Sequence, residues 1–388
     1  MLACRVLARA RSLRAGACVV LAAAAAGCGT AGSNTSVTAT GRTLTIYASQ
    51  PPGGGGQPAE DVINAERLAL SQAGGKAGGF NVRLVVLNGR KLSDDARRAI
   101  QDKSTIAYLG DIDPGTSGDS IGIVNSQDIL QVSPTDTARE LTQSTPAVPN
   151  SPTLYYESLK TYGRTFARVV PTDTLEAKAL VTEMSGQGVK SLHVSGDGSD
   201  YAKALADAVT RDARGAGIAQ QPAGTADAVL YAGRSGSGAA QALTGAGSAS
   251  KLFASSAVAF DPAFASALSP AVARRVEVSS PGFMAGDLPA TATQQFVAPF
   301  KQAYGHAPST EAIFGYEAMS AVLAVLQQAG SAANNRNTVV KGFFKIKNRQ
   351  SVLGTYSIDV QGDTSIGPFV FSHVKSGQLA PFKAVQAG

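Results

Sequence analysis

The sequence predicts an α/β protein of two lobes, each a mostly parallel sheet flanked by helices, with a ligand cleft between the lobes. Three observations carry that prediction. From residue 43 onward, short β-prone runs alternate with runs of helical period, the pattern of βαβ units. The 360 residues after Cys28 exceed what a single core usually supports. The stretch LAAAAAGCGTAGSN, residues 21–34, divides those residues from a leader of different character.

In the leader, Arg5, Arg9, Arg11 and Arg14 precede an uncharged run from Ala15 to Gly27, and no acidic residue occurs before Cys28. The run is too short for a membrane span, which takes about 20 apolar residues. Basic, apolar, then small is the order of a secretory signal, here 1–27. Cys28, directly after Ala25, Ala26 and Gly27, resembles the cysteine of a bacterial lipobox. That likeness implies diacylation of Cys28 and cleavage before it; the alternative is an ordinary signal cut elsewhere, with Cys28 a bystander.

Cys4, Cys18 and Cys28 are the only cysteines, so the mature chain is expected to carry no disulfide and no metal thiolate. Two acyl chains suffice for stable anchoring. The expected location is therefore extracytoplasmic, on the outer face of the cell membrane. The whole chain carries 34 basic and 28 acidic residues; without the four leader arginines, 30 face 28. No basic run remains to suggest nucleic acid.

Residues 28–42 lack apolar periodicity and read as a tether linker. TLTIYAS (43–49) is the first strand. Val62, Ala65, Ala69 and Ala73 then recur at helical spacing, stopped by Gly74 and Gly75. NVRLVVLN (81–88) reads as a strand buried on both faces. Strands follow at 105–110, 129–133, 166–170, 191–195, 227–233, 251–256 and 275–280, with helices at 117–127, 174–186 and 199–214. Two long helical patterns, 290–304 and 309–329, cover a lobe's flank. TYSID (355–359) and 369–385, turning at Ser376 and Gly377, close the chain as strands at a sheet edge.

No catalytic constellation emerges. His193, His306 and His373 have no ligand spacing. Gly53–Gly56 lacks the Lys-Ser/Thr ending of a phosphate loop. GRSGSG (233–238) misses a nucleophile elbow by one position, and SHVK (372–375) lacks a Lys-Thr-Gly partner. DGSD (197–200) lacks the Gly and distal Glu of a calcium loop and reads as a helix cap. No enzyme, cofactor or metal site is expected.

Five stretches in order then carry a resemblance. ILQVSPTDTARELT (129–142), AERLALSQAGGKAGGFNVRLVVLN (65–88), GVKSLHVSGDGSDYAKALADAV (188–209), GYEAMSAVLAVLQQAG (315–330) and SVLGTYSIDVQGDT (351–364) are similar to segments of the branched-chain amino-acid (Leu/Ile/Val) binding proteins of ABC importers. The resemblance implies a type I periplasmic-binding-protein fold with three hinge crossings. It places lobe one at 43–167 plus 284–345 and lobe two at 168–283 plus 346–388.

It also implies a site. Carboxylate-binding hydroxyls and N–H groups would come from DPGTSGDS (113–120) and PTDT (134–137), giving Thr116, Ser117, Thr135 and Thr137. Helix capping is the competing reading of each hydroxyl. Tyr201 matches the family's closing aromatic. Three positions depart from the family. Ala257 stands about where the ammonium's acidic partner is expected, leaving Asp136 of the second loop as a substitute from the other lobe, with Asp261 a few residues away. Arg234 replaces a lining aromatic and favours a carboxylate or phosphate ligand. Pro114 has no N–H to give where the family uses a serine. The implied function is a solute-binding lipoprotein that closes on a small polar metabolite, amino-acid-like or carboxylate, works with ABC permease subunits and is a monomer. A ligand-sensing lipoprotein reporting to a membrane partner is the alternative.

Overall fold

The computed structural model describes residues 38–156, 163–248, 250–284 and 286–387. The leader and Cys28 lie outside the described residues. Lobe one holds β1 Thr43–Ser49, β2 Lys76–Ala77, β3 Phe80–Leu87, β4 Thr105–Leu109, β5 Leu130–Ser133 and β6 Phe166–Arg168, in the order β2-β3-β1-β4-β5-β6. Lobe two holds β7 Ser191–Ser195, β8 Ala219–Gln220, β9 Ala228–Tyr231, β10 Lys251–Ala254 and β11 Val276–Pro281. A separate ribbon, β12 Arg349–Ser351 and β13 Gly354–Tyr356, precedes β14 Pro368–Lys375 and β15 Gln378–Gln386. The second sheet runs β15-β14-β11-β10-β9-β7-β8, parallel from β7 to β11 and antiparallel at β14 and β15.

Helices α1 Gly56–Gln72, α2 Leu92–Gln101 and α3 Gly118–Asn125 connect the strands of lobe one. Lobe two carries α4 Asp173–Gly186, α5 Asp200–Gly215, α6 Gly236–Thr244 and the short α7 Phe264–Ala267 and α8 Pro270–Ala273. α9 Ala290–Ala292 leads through one π-helical turn into α10 Ala298–Tyr304, then α11 Ala312–Ala329 and α12 Arg336–Phe344 complete lobe one. Each strand read from the sequence between 43 and 280 is present, the sequence reading lacks helices α2 and α6, and the fold is the two-lobed α/β arrangement expected.

Central strands show why the pattern is legible. β1 is buried at every position from Leu44 to Ser49 because β3 and β4 flank it and helices cover both faces. β3 differs from its expectation of two-sided burial: only Val82 and Leu87 are fully buried. Its outer neighbour β2 pairs with just two of its residues, so most of β3 is effectively an edge. α11 is apolar on nearly all sides and lies in the lobe-one core against α1. A Cβ on Gly315 would run into the Val62 backbone carbonyl, so a glycine there sets how closely the two helices approach.

The chain passes between the sheets after β6, after β11 and before β14. Two boundaries fall elsewhere than the sequence suggested. Val352, Leu353, Tyr356, Ile358 and Ile366 pack in the lobe-one core, although 346–388 was expected in lobe two. The reason is Glu317 of α11, which accepts from both Tyr356 Oη at 2.7 Å and Arg349 Nε at 2.6 Å and draws the ribbon onto that helix. TYSID accordingly pairs within the ribbon and not at the edge of the large sheet. At the other end, Ala39 is buried and its N–H donates to Asn334 O at 2.7 Å, so part of the expected tether is docked on lobe one.

Candidate functional site

Parallel strands deliver their following loops to one end of a sheet, and ligands of open α/β sheets bind there. In lobe one, the loops after β4 and β5 supply residues 110–117 and 134–138. In lobe two, the loops after β7, β9 and β10 supply 196–199, 232–235 and 255–261. The two sets face each other. Gly115 of lobe one lies against Tyr201 of lobe two, and the Asp173 N–H that opens α4 donates to Thr137 O at 2.8 Å.

A cavity of about 440 Å³ opens at this junction. Gly115, Asp119 and Tyr155 come from before the first crossing, and Asp200, Tyr201 and Arg234 from lobe two. A second inter-lobe cavity, about 590 Å³, lies further along the cleft near Asp61, His306 and Asp261. A third cavity, about 690 Å³, is a groove on the outer side of lobe one along α11 and α12, remote from the cleft.

Of the residues singled out in the sequence, Tyr201 and Arg234 line the cleft cavity. Thr116, Ser117 and Thr135 serve the chain's own loops. Thr116 Oγ1 donates to Asp113 O at 2.6 Å and Thr135 Oγ1 to Ile112 O at 2.6 Å, while Ser117 Oγ accepts from the Asp111 N–H at 3.0 Å. Thr137 is fully buried, and its Oγ1 has no hydrogen-bond partner among the described residues. Ala257 is buried in the core of lobe two.

Asp136 occupies the place where an anion would sit. Its Oδ1 accepts from the N–H groups of Gly115 at 2.6 Å and Ala138 at 3.1 Å, and its Oδ2 from the Ser117 N–H at 2.9 Å. Burial raises its pKa, opposed by the nearby Arg168 guanidinium and these N–H donors. Its carboxylate is therefore already bonded and does not stand free to meet an ammonium group.

Sequence reading missed Glu176. From α4 its carboxylate accepts from Ser256 N at 2.6 Å, Ser256 Oγ at 2.9 Å and Ser279 Oγ at 2.6 Å, placing an acid beside Ala257. Nothing local signals this, because Glu176 and Ser256 are 80 positions apart. Also missed were Asp111, Asp113 and Glu140, each pushed up to about 7, chiefly by burial. Among the described residues no cluster of His, Cys, Asp and Glu has the geometry to hold a metal ion.

The two-lobed arrangement defines a type I periplasmic-binding fold. Residues 218–378 match the family model described as periplasmic binding protein. The chain aligns over 88% of its length, at 19% identity and a TM-score of 0.73, with 99% of a leucine-binding protein LivK from Thermotoga maritima. It aligns over 89%, at 16% identity and a TM-score of 0.67, with 99% of the substrate-binding protein LivJ from Streptococcus pneumoniae, solved with isoleucine. A solute-binding protein of an ABC transporter from Rhodopseudomonas palustris, solved with 3,4-dihydroxybenzoic acid, aligns at 16% identity and a TM-score of 0.66 over 89% of this chain and 98% of that one. No curated protein matches the sequence. The resemblance to Leu/Ile/Val-binding-protein-like substrate-binding proteins of ABC transporters is thus borne out. The matched family is one of binding proteins and not of enzymes.

Proposed function

We propose that the chain is an extracytoplasmic solute-binding lipoprotein of an ABC importer, anchored through Cys28, that captures a small polar metabolite by hinge closure and passes it to a permease. One observation carries this reading: the walls of the 440 Å³ cavity come from both lobes, so a ligand there is enclosed or released by their relative motion. Binding energy gained only when both walls touch the ligand favours the closed form. Among the described residues no helix is long and apolar enough to cross a membrane, and a lipid at Cys28 supplies the attachment.

Two measurements test it. Cys28→Ser in the producing cell should move the protein from the membrane fraction to the medium or periplasm and remove a diacylglyceryl mass. Small-angle scattering of the full chain in detergent should show a smaller radius of gyration when a saturating solute is bound. A Cys28→Ser chain that stays on the membrane sinks the lipoprotein assignment. Loss of a signalling response on deletion, with uptake intact, would favour the sensor over the importer.

A further inference from the structure

The groove on the outer side of lobe one carries charge of one sign. Lys341 of α12, Lys345 at its end, Lys347 and Arg349 of β12 line it, and no Asp or Glu does. The chain after the leader is close to neutral, 30 basic residues against 28 acidic, so this lining is a local segregation of charge. Arg349 is already engaged, because Glu317 of α11 accepts from its Nε at 2.6 Å. Lys347 is exposed and gives its Nζ to the Ile358 carbonyl at 2.9 Å, which leaves its charge uncompensated. Lys341 and Lys345 are exposed and form no ion pair among the described residues. Like charges four residues apart on a helix are mildly unfavourable. A layer of anions beside them relieves that repulsion.

The groove begins where the expected tether ends. Thr38 bridges to Asn335, the Ala39 N–H donates to Asn334 O at 2.7 Å, and Asn334 Nδ2 donates to Ala39 O at 3.3 Å. Asn335 caps α12, its Oδ1 accepting from the Thr338 N–H at 3.0 Å, and Thr338 is the first groove residue on that helix. At about 1.5 Å per residue, Lys341 lies about 9 Å and Lys345 about 15 Å beyond the cap. Cys28 precedes Thr38 by ten residues, which span at most about 35 Å. A lipid on Cys28 therefore keeps this end of lobe one close to the bilayer. Surface charge is felt over only about 8 Å at physiological ionic strength. The tether supplies the nearness, and the lysines supply the orientation.

We infer that this face of lobe one lies on the anionic headgroups of the membrane that carries the protein, with Lys341, Lys345 and Lys347 set against lipid phosphates. The inference rests on anchoring through Cys28 and adds an orientation to that reading. Each unpaired lysine near an anionic leaflet favours the bound orientation about fivefold, so Lys341 and Lys345 together favour it about 25-fold. The groove shares no lining residue with either inter-lobe cavity, so the contact leaves the walls of the cleft uncovered. An acidic face of a permease is the competing occupant. Lipid is favoured because the tether ends beside the groove.

The test is lysine acetylation, read by mass spectrometry, on the mature lipidated chain in vesicles of phosphatidylcholine alone or with about one-third phosphatidylglycerol. Lys341 and Lys345 should react at least fivefold more slowly on the anionic vesicles. Lys190 and Lys251, exposed in lobe two, should react alike on both. Raising the salt to about 0.5 M should erase the difference. Lys341→Glu/Lys345→Glu, two exposed changes, should leave the melting temperature in place and abolish the slowing at Lys347. Slowing at Lys347 that survives both changes would overturn the headgroup contact. Slowing seen only once the permease is in the vesicles would overturn it too, and assign the groove to an acidic protein surface. Equal rates on both vesicles, in a chain that carries the diacylglyceryl mass, would overturn the inference and leave the anchor standing. A chain without that mass would overturn the anchor and the inference together.

Discussion

Arg168 and Asp363 meet at 2.9 Å, Nε to Oδ1, with the arginine side chain fully buried and the carboxylate nearly so. Arg168 ends β6 at the first crossing between lobes, and Asp363 lies in the last. The contact is ionic and not an in-line hydrogen bond; the hydrogen bonds of the guanidinium run from Nη1 to Asp136 O at 2.7 Å and from Nη2 to Thr142 Oγ1 at 2.9 Å. Asp363 in turn accepts from Thr142 Oγ1 at 2.9 Å and Gln143 Nε2 at 2.6 Å. One buried cation thus ties two crossings to the loop that carries Asp136.

Arg168→Met should therefore cost about 3–5 kcal/mol, the usual penalty for removing one member of a buried pair. Urea denaturation measures it. Arg168→Lys should recover only part of the loss, because an ammonium cannot reach the carbonyl, the hydroxyl and the carboxylate in one planar fork. Full recovery by lysine would show that charge alone matters there.

Gly115 controls how closely the lobes approach. Its φ is +78°, and a Cβ added there would sit 2.6 Å from Cβ of Tyr201. Gly115→Ala should cost about 1–2 kcal/mol from the left-handed backbone alone. It should also hold the lobes apart, giving a larger radius of gyration and at least tenfold weaker ligand binding. Because the clash is with the Tyr201 Cβ, Tyr201→Ala should not relieve it. Closure regained in the Gly115→Ala/Tyr201→Ala double variant would place the obstruction elsewhere.

Much of the fold is legible in the sequence because central parallel strands are apolar on both faces. TLTIYAS falls on β1 to the residue; SLHVS also matches β7, although only Leu192 of it is buried. The helices that escape notice carry weak signals. α2, LSDDARRAIQ, has four charged residues in ten and a narrow apolar stripe, and α6 begins Gly-Ser-Gly. The site is less legible than the fold. A Ser-Pro-Thr-Asp-Thr turn announces hydroxyls for a ligand, yet which donors Asp136 fills depends on a loop 21 residues away in sequence. Arg168 and Asp363 are separated by a whole lobe. Such pairings are made by topology, and no local pattern of residues encodes them.

Ser199 links the cap of α5 to the cleft. Its Oγ accepts from the Ala202 N–H at 3.2 Å and donates to Asp197 Oδ1 at 2.6 Å, and Asp197 Oδ2 accepts from the Arg234 N–H at 2.8 Å. Ser199→Ala should cost about 1 kcal/mol through loss of the cap. Hydrogen exchange should quicken at Ala202 and Arg234 while the β7 amides stay protected. Unchanged exchange at Arg234 would mean that Asp197 is held without Ser199.

Stability should fall as pH rises toward neutrality. Asp111 is fully buried, accepts from Tyr108 Oη at 2.9 Å and Ser120 Oγ at 2.5 Å, and is pushed up to about 7 by burial, with Asp136 adding to the effect. The folded state therefore binds a proton more tightly than the unfolded chain, whose aspartates titrate near 3.8. Its contribution is fully present below the unfolded value and is lost as pH rises through 7. Asp113, also near 7, acts in the same direction, and the raised His306 adds to it weakly because that ring is exposed. Asp102 and Asp197 are lowered, so their opposite contribution disappears only in more acidic solution. Between pH 5.5 and pH 8, Asp111 alone should account for about 2 kcal/mol, at 1.36 kcal/mol per pH unit up to its folded pKa. Urea midpoints at the two pH values measure the difference, and Asp111→Asn should shrink it by that amount. A variant that keeps the full difference would show that Asp111 is ionised across the range and that its bonds to Tyr108 and Ser120 outweigh its burial.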